Sequence, residues 1–377
     1  MTDIQTMLKA FEDVASNPHA QLQKHLEAGR RVIGVGPYYA PEELVHAAGA
    51  VPFGVWGCMG PVNEARRYFP PFYCSLCQTT LEMGLTGMLD GLSGYMTTAL
   101  CDTQRAASQN WRAGVGNDIP LIFVSHPQNR KTAWGRDYAI ESYAQVAHEV
   151  EECAHGIIDD ENLGAAIALY NEWRAAMRSF VQLAGAHPAQ VGVQARHAVI
   201  KAGYFMDKAE HLSVVRELNA ALEALPESTA GYKRVVLSGI FENIPAITAM
   251  LDEMGYAVVA DDLAKESRAF ALCVPEDEPP LRALADAWCA LDADPLLYDP
   301  EKLHPQKVVQ LAIDAQAQGV VLLLAKFCDP EEFDAPLVKA ACMEAGVPFL
   351  QIEVDQSTET YEQARTQLET FADILAA

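Results

Sequence analysis

The stretch Gly319-Val320-Val321-Leu322-Leu323-Leu324-Ala325 constrains this chain more than any other. Seven apolar residues without alternation make a strand buried on both faces, which is the signature of a central strand in a parallel sheet. A parallel sheet needs crossover helices, so the chain must supply a strand–helix alternation around it. Lys233–Gly239, Tyr256–Ala260 and Val347–Ile352 read as its companions, with helices between them and Asp261-Asp262 at a strand end. An earlier stretch repeats the pattern. Arg31–Val35, Val51–Trp56, Gly94–Leu100 and Ile119–Val124 read as strands, and Pro41-Glu42-Glu43 opens a helix with acids at the positive end of its dipole. Between the two stretches, Asp137 to Leu225 carries helical periodicity only. The expected fold is therefore α/β, with two Rossmann-like parallel-sheet lobes joined by a helical connector. The expected boundaries are 1–150 for N-terminal helices plus the first lobe, 151–230 for the connector and 231–377 for the second lobe.

Half of the 377 residues are apolar, so two cores of this size can be filled. No apolar run is long enough to span a membrane, and Met1–Thr6 lacks the basic-then-apolar start of a secretory signal. A net charge of -24 disfavours a phosphate backbone as partner. These features predict a soluble cytoplasmic protein that binds neither nucleic acid nor membrane.

The nine cysteines are the chemistry-bearing residues. Disulfides are not expected in a reducing compartment. Cys74, Cys101 and Cys328 each stand where a strand or rigid loop hands over to a helix N-terminus. Free N–H groups and the helix dipole there favour an anionic ligand and lower a thiol's pKa. Cys77 falls on an apolar stripe with Leu81, Leu85, Met88 and Leu92 in a helix expected to run to about Asp90, so it reads as core. Cys153, Cys289 and Cys342 fall inside helices and Cys273 inside an apolar strand. Cys58 also follows a strand and competes for a ligand role. Position alone leaves two readings open, a three-cysteine metal site or buried core thiols. Asp102 and Asp329 read as helix caps, with Thr103 an alternative to Asp102. His126 and Arg130 read as members of a solvated polar loop. Asp261 suggests a ribose-binding acid, but no GxGxxG precedes it.

Several motifs in one order add a resemblance. They are Pro37-Tyr38-Tyr39-Ala40-Pro41-Glu42-Glu43-Leu44, Phe72-Tyr73-Cys74, Cys101-Asp102-Thr103 and Ser108-Gln109-Asn110. Pro127-Gln128-Asn129-Arg130, Asp261-Asp262, Glu266-Ser267-Arg268 and Phe327-Cys328-Asp329-Pro330-Glu331-Glu332 follow. Over its whole length the chain resembles the beta subunits of 2-hydroxyacyl-CoA dehydratases, in the superfamily that includes benzoyl-CoA reductase. The resemblance implies a 4Fe–4S cluster between the lobes, held by Cys74, Cys101 and Cys328, with a non-protein fourth ligand; it does not carry over Cys58 or Cys77. A flavin is compatible with such chemistry, but nothing in the sequence supports one. Implied partners are an alpha subunit, which holds most of the 2-hydroxyacyl-CoA substrate, and a transient ATP-hydrolysing iron–sulfur activator.

The implied reaction removes water across a barely acidic β-C–H bond, beyond the roughly 10²–10⁴-fold reach of acid–base groups. A transferred electron makes a ketyl radical that expels the hydroxyl and acidifies that bond. No acid–base residue is singled out in this chain. (R)-2-Hydroxyglutaryl-CoA is the first expectation for the substrate, followed by lactoyl, phenyllactyl and 2-hydroxyisocaproyl esters. The rival readings are a benzoyl-CoA reductase-type component, a double-cubane ATP-dependent reductase, and a non-catalytic metal-binding or metal-free protein.

Overall fold

The computed structural model describes residues 3–240, 244–358 and 360–376; Met1 and Thr2 of the expected leaderless start lie outside them. The first lobe begins after helices α1 (Ile4–Ser16) and α2 (Pro18–Glu27). It contains β1 (Val32–Val35), α3 (Glu42–Ala47), β2 (Val51–Gly54), α4 (Ser75–Leu85), β3 (Gly94–Thr98), α5 (Asp102–Gly114) and β4 (Leu121–Val124). Four helices follow: α6 (Ala133–Ala154), α7 (Asp160–Ala186), α8 (Val193–Ala202) and α9 (Lys208–Glu223). The second lobe contains β5 (Lys233–Gly239), α10 (Pro245–Glu253), β6 (Tyr256–Leu263), α11 (Ser267–Ala271), α12 (Pro280–Ala290) and α13 (His304–Asp314). It ends with β7 (Gly319–Ala325), α14 (Asp329–Glu344), β8 (Phe349–Val354) and α15 (Glu362–Ala376).

Both sheets are four-stranded and wholly parallel, and they share one topology: β2-β1-β3-β4 in the first and β6-β5-β7-β8 in the second. The α/β fold with two Rossmann-like lobes is thus as expected. The apolar run Gly319–Ala325 is β7, buried at every residue and paired on both edges, with β5 and with β8. In each lobe the strand order reverses between the first and third strands, so a crevice opens beyond their carboxyl ends, where ligands of such sheets collect.

Core formation joins elements remote in sequence. Ile33, Val35, Met96 and Ile122 of the first sheet pack with Tyr143 of α6 and with Leu284 and Trp288 of α12. The face of the second sheet bearing Val235, Leu237, Val321 and Leu323 packs with Phe180, Val215 and, from α1, Phe11. Each such side chain contributes about 1.5–3 kcal/mol of burial, so helices after β4 and before β1 are fixed by cores they do not adjoin in sequence.

Several local expectations are corrected. Helix α4 stops at Leu85, short of Asp90, because Gly87 takes a left-handed φ of 79°; Met88 is exposed instead of continuing the stripe. Cys273 lies in an exposed loop, since the chain between α11 and α12 pairs with no strand. Asp261 and Asp262 lie inside β6, which runs on to Leu263.

Candidate functional site: the cysteines at the crevice

Cys101 follows β3 and Cys328 follows β7, so the two cysteines occupy the same topological position, the third strand of each lobe. Each is the N-cap of the helix that follows. This corrects the capping expectation: Asp102 and Asp329 are the first helical residues, both exposed, and complement the helix dipole instead of capping it. The Cys101 sulfur itself accepts the Gln104 backbone N–H at 3.4 Å. Cys74 is the N-cap of α4, reached through the long loop after β2.

The structure brings these three together with a fourth. Cys328 feels the charges of Cys74 and Cys101, and Cys101 that of Cys74. Cys77, one turn into α4, hydrogen-bonds Cys74 and lies in the electrostatic reach of Cys101 and Cys328, while also packing on the apolar layer of Leu81 and Trp111. The Cys77 hydrogen bond lowers the Cys74 thiol, and the same bond and burial push Cys77 well up. Burial raises Cys101 to about 12; burial and the nearby Glu331 carboxylate raise Cys328 well above the usual thiol range. Cys58 stands apart on the wall of a separate cavity, raised by burial and by Glu82.

The surrounding backbone is strained toward this place. Tyr38 and Tyr39, in the loop after β1, hold φ of 74° and 61°, and Phe327, directly before Cys328, holds 62°. For bulky residues such values cost about 1–3 kcal/mol each and persist only when neighbours enforce them. The neighbours are visible. Gln104 donates to the Pro37 carbonyl at 2.8 Å, Thr98 to the Tyr38 carbonyl at 3.1 Å, and the Tyr38 hydroxyl crosses to the Ile240 carbonyl at the end of β5 at 2.7 Å. Phe327 N–H is held by the Glu332 carboxylate at 3.0 Å.

A second bridge between lobes fixes the mouth of α4. Gln356, fully buried, receives the Thr79 hydroxyl at 2.8 Å, donates from Nε2 to the Trp56 carbonyl at 3.0 Å and from its backbone N–H to the Ser75 hydroxyl at 3.0 Å. Gly57 makes room for it: a Cβ there would sit 2.1 Å from Thr79 Oγ1 and 2.3 Å from Gln356 Oε1, at a φ of 69°.

Behind Cys328 lies a buried charge cluster. Arg268 donates to Asp262 at 2.8 and 3.0 Å and to Glu331 at 3.5 Å. His304 bridges Asp262 and Asp334, 2.5 Å from each, and Lys307 reaches Asp262 at 2.7 Å. Tyr39 hydrogen-bonds Asp294, tying the cluster to the strained loop of the first lobe. Burial, outweighing Arg268, pushes Glu331 up to about 7. Burial opposes protonation of His304, but its two carboxylates prevail and raise it to about 9. Asp261 pairs instead with Arg196 and Ser267, so neither acid of β6 is presented to a ribose.

His126 and Arg130 are buried, contrary to the expectation of a solvated loop. His126 stacks on Trp288 at 4.0 Å and 9°, and burial lowers it to about 3. Arg130 donates to the Tyr298 carbonyl at 2.7 Å and to the Leu291 carbonyl. They anchor the segment after α12 to the first lobe. Sequence reading gave no role to Tyr38, Gln104, Arg268, Glu331 or Gln356. A double aromatic beside a proline and Arg268 two residues from Glu266 are the available signals; Gln356 carries none.

Cysteines at helix N-termini are the donor chemistry that an iron–sulfur cluster takes, although among the described residues no group of three His, Cys, Asp or Glu is placed to hold a metal ion. A cluster binds each thiolate through a different iron and so spreads its ligands. The N–H of Gln104 at Cys101 is the kind of donor that steadies a cluster thiolate.

Comparison with known proteins bears on the chain as a whole. The chain matches the family model described as 2-hydroxyglutaryl-CoA dehydratase, D-component, over residues 37–375. It is 42% identical to the (R)-2-hydroxyglutaryl-CoA dehydratase subunit beta of Acidaminococcus fermentans, covering 99% of this chain and 100% of that one. It is 39% identical to the (R)-phenyllactyl-CoA dehydratase beta subunit of Clostridium sporogenes and 36% to the lactoyl-CoA dehydratase subunit beta of Anaerotignum propionicum, each over 100% of both chains. The family model covers nearly the whole chain, and the chain belongs to the 2-hydroxyglutaryl-CoA dehydratase D-component family.

Proposed function

We propose that this chain is the beta subunit of a 2-hydroxyacyl-CoA dehydratase, a hydro-lyase, and that Cys74, Cys101 and Cys328 hold a 4Fe–4S cluster at the crevice. One observation carries the reading: matching third-strand cysteines of two like lobes meet Cys74 at the mouths of three helices. When bound, the cluster supplies one-electron transfer toward a thioester, the step that ordinary acid–base groups cannot replace. The chain's own residues bind and enclose. Helix N-termini present N–H groups to the thiolates, Tyr38 and Leu76 keep the crevice dry, and the Gln356 bridge keeps Cys74 in register with the second lobe. The division into 1–150, 151–230 and 231–377 is proposed as the working domain description.

The 42% relative favours (R)-2-hydroxyglutaryl-CoA as first substrate, with phenyllactyl and lactoyl esters next. The proposed partners are an alpha subunit, which would hold most of the substrate, and an ATP-hydrolysing activator, all in the cytoplasm. Anaerobic purification followed by iron and sulfide counting tests the cluster: about four irons per chain is the expected result, zero iron in a folded chain refutes it, and a markedly higher count favours the double-cubane reading. Cys101→Ala and Cys328→Ala should lose iron while Cys77→Ala retains it. Iron lost from Cys77→Ala but kept in Cys74→Ala would reassign the ligand on α4. Turnover of the reconstituted pair on a panel of CoA esters identifies the acyl group.

A further inference from the structure

A cavity of about 460 Å³ lies between the α1–α2 turn, the end of β2, α4, α8 and Pro245 at the start of α10. Phe53, Met83, Leu89 and Phe205 wall it, and the exposed Met59 and Met88 stand at its rim. Two polar groups on this wall have no partner among the described residues. The Trp56 side chain is only 8% exposed, yet its indole N–H meets no acceptor. Lys201 forms no hydrogen bond or ion pair there, and desolvation alone pushes its ammonium down to about 8. A buried donor without an acceptor is an unfavourable arrangement that folded proteins rarely keep without use.

The chemistry of an occupant follows from the wall. Both unsatisfied groups are donors and one is cationic, so the ligand's polar end accepts hydrogen bonds and carries negative charge. A single ammonium in an apolar wall does not compensate a polyphosphate. Apart from Ser16, Asn17, His19 and Cys58, the remaining lining is hydrocarbon and thioether, and methionine adapts to varied apolar shapes. At about 30 Å³ per water, the cavity holds about fifteen water volumes, or a ligand of roughly ten to fifteen non-hydrogen atoms.

We propose that this cavity binds an amphipathic monocarboxylate of that size, its carboxylate between Lys201 Nζ and the Trp56 indole and its hydrocarbon among the methionines. The site is separate from the cysteines, but Trp56 also offers its carbonyl to Gln356, whose backbone N–H holds Ser75 beside Cys74. An occupant therefore bears on the clamp of α4.

Octanoate, octanol and octylamine titrated into the full-length chain by calorimetry test this. Octanoate should saturate one site, with octanol bound at least tenfold more weakly and octylamine not at all. Lys201→Met should weaken octanoate at least tenfold while leaving octanol unchanged, and Lys201→Arg should restore most of the affinity. Trp56→Phe, which removes only the indole N–H and one ring, should weaken octanoate severalfold and serves if Lys201→Met fails to fold. Absence of octanoate saturation, equal binding of octanoate and octanol, or parental affinity in Lys201→Met or Trp56→Phe would each overturn the proposal.

Discussion

The two lobes share a strand order and place a cysteine after the third strand, yet they support that cysteine differently. Around Cys101 the first helical turn keeps its charge outside: Asp102 is 99% exposed and makes only a 3.9 Å pair with Arg105, while the neutral Gln104 is the buried member. Around Cys328 the turn is built on charge in the interior, with Glu331, Arg268, Asp262 and His304 all buried. The sheets differ in the same sense, with strands of four or five residues in the first lobe and six to eight in the second. One topology thus gives a lobe that contributes two cysteines held by neutral hydrogen bonds and a lobe that contributes one backed by buried charge. Buried ion pairs are poor sources of net stability but good sources of fixed position, since breaking one leaves an uncompensated charge.

That contrast can be broken most forcefully at Arg268. Arg268→Met removes the cation beside the buried Glu331 and leaves Asp262 with His304 and Lys307 only, and should cost about 3–5 kcal/mol in urea unfolding. The next effect is pH dependence through His304. Its folded value of about 9 lies above the ordinary 6.5, so its stabilisation is complete below pH 6.5 and is lost as pH rises through 9. The full contribution is about 3 kcal/mol at 1.36 kcal/mol per unit. Urea midpoints should fall between pH 6.5 and 9 in the parent and much less in His304→Gln. An equal slope in both would remove His304 from the buried charge. Gly57→Ala tests the joint between the lobes. Its Cβ would collide with Thr79 and Gln356 at a left-handed φ, so a loss of about 2 kcal/mol is expected. Arg105→Ala, the counterpart of Arg268 in the first lobe, should change stability by no more than about 0.5 kcal/mol. A loss as large as that of Arg268→Met would abolish the distinction between the lobes.

Much of the fold was legible because its signals are local. A seven-residue apolar run fits a strand buried on both faces and is short for a helix, and the helical periods of α7 and α9 are carried by their own residues. Local reading failed where a distant segment decides the environment. His126 and Arg130 look like a polar loop until α12 arrives from the other half of the chain and buries them. Asp261 and Asp262 look like the end of a strand, since charge inside a strand is unfavourable unless Arg196 and Arg268 are already in place. Cys77 shows both sides. Its helical spacing puts it against Leu81, but only docking of α5 and α14 brings it also beside Cys101 and Cys328.

The sequence by itself determined the parallel sheets, the helices between them and the placing of Cys74, Cys101 and Cys328 at helix starts, because backbone pattern and capping depend on neighbours a few residues away. The tertiary structure decided which of these helix starts meet, which acids and cations neutralise one another behind Cys328, and that Trp56 and Lys201 face a cavity without partners among the described residues. Those outcomes depend on tertiary packing, and burial and charge pairing between residues tens of positions or more apart leave no local trace.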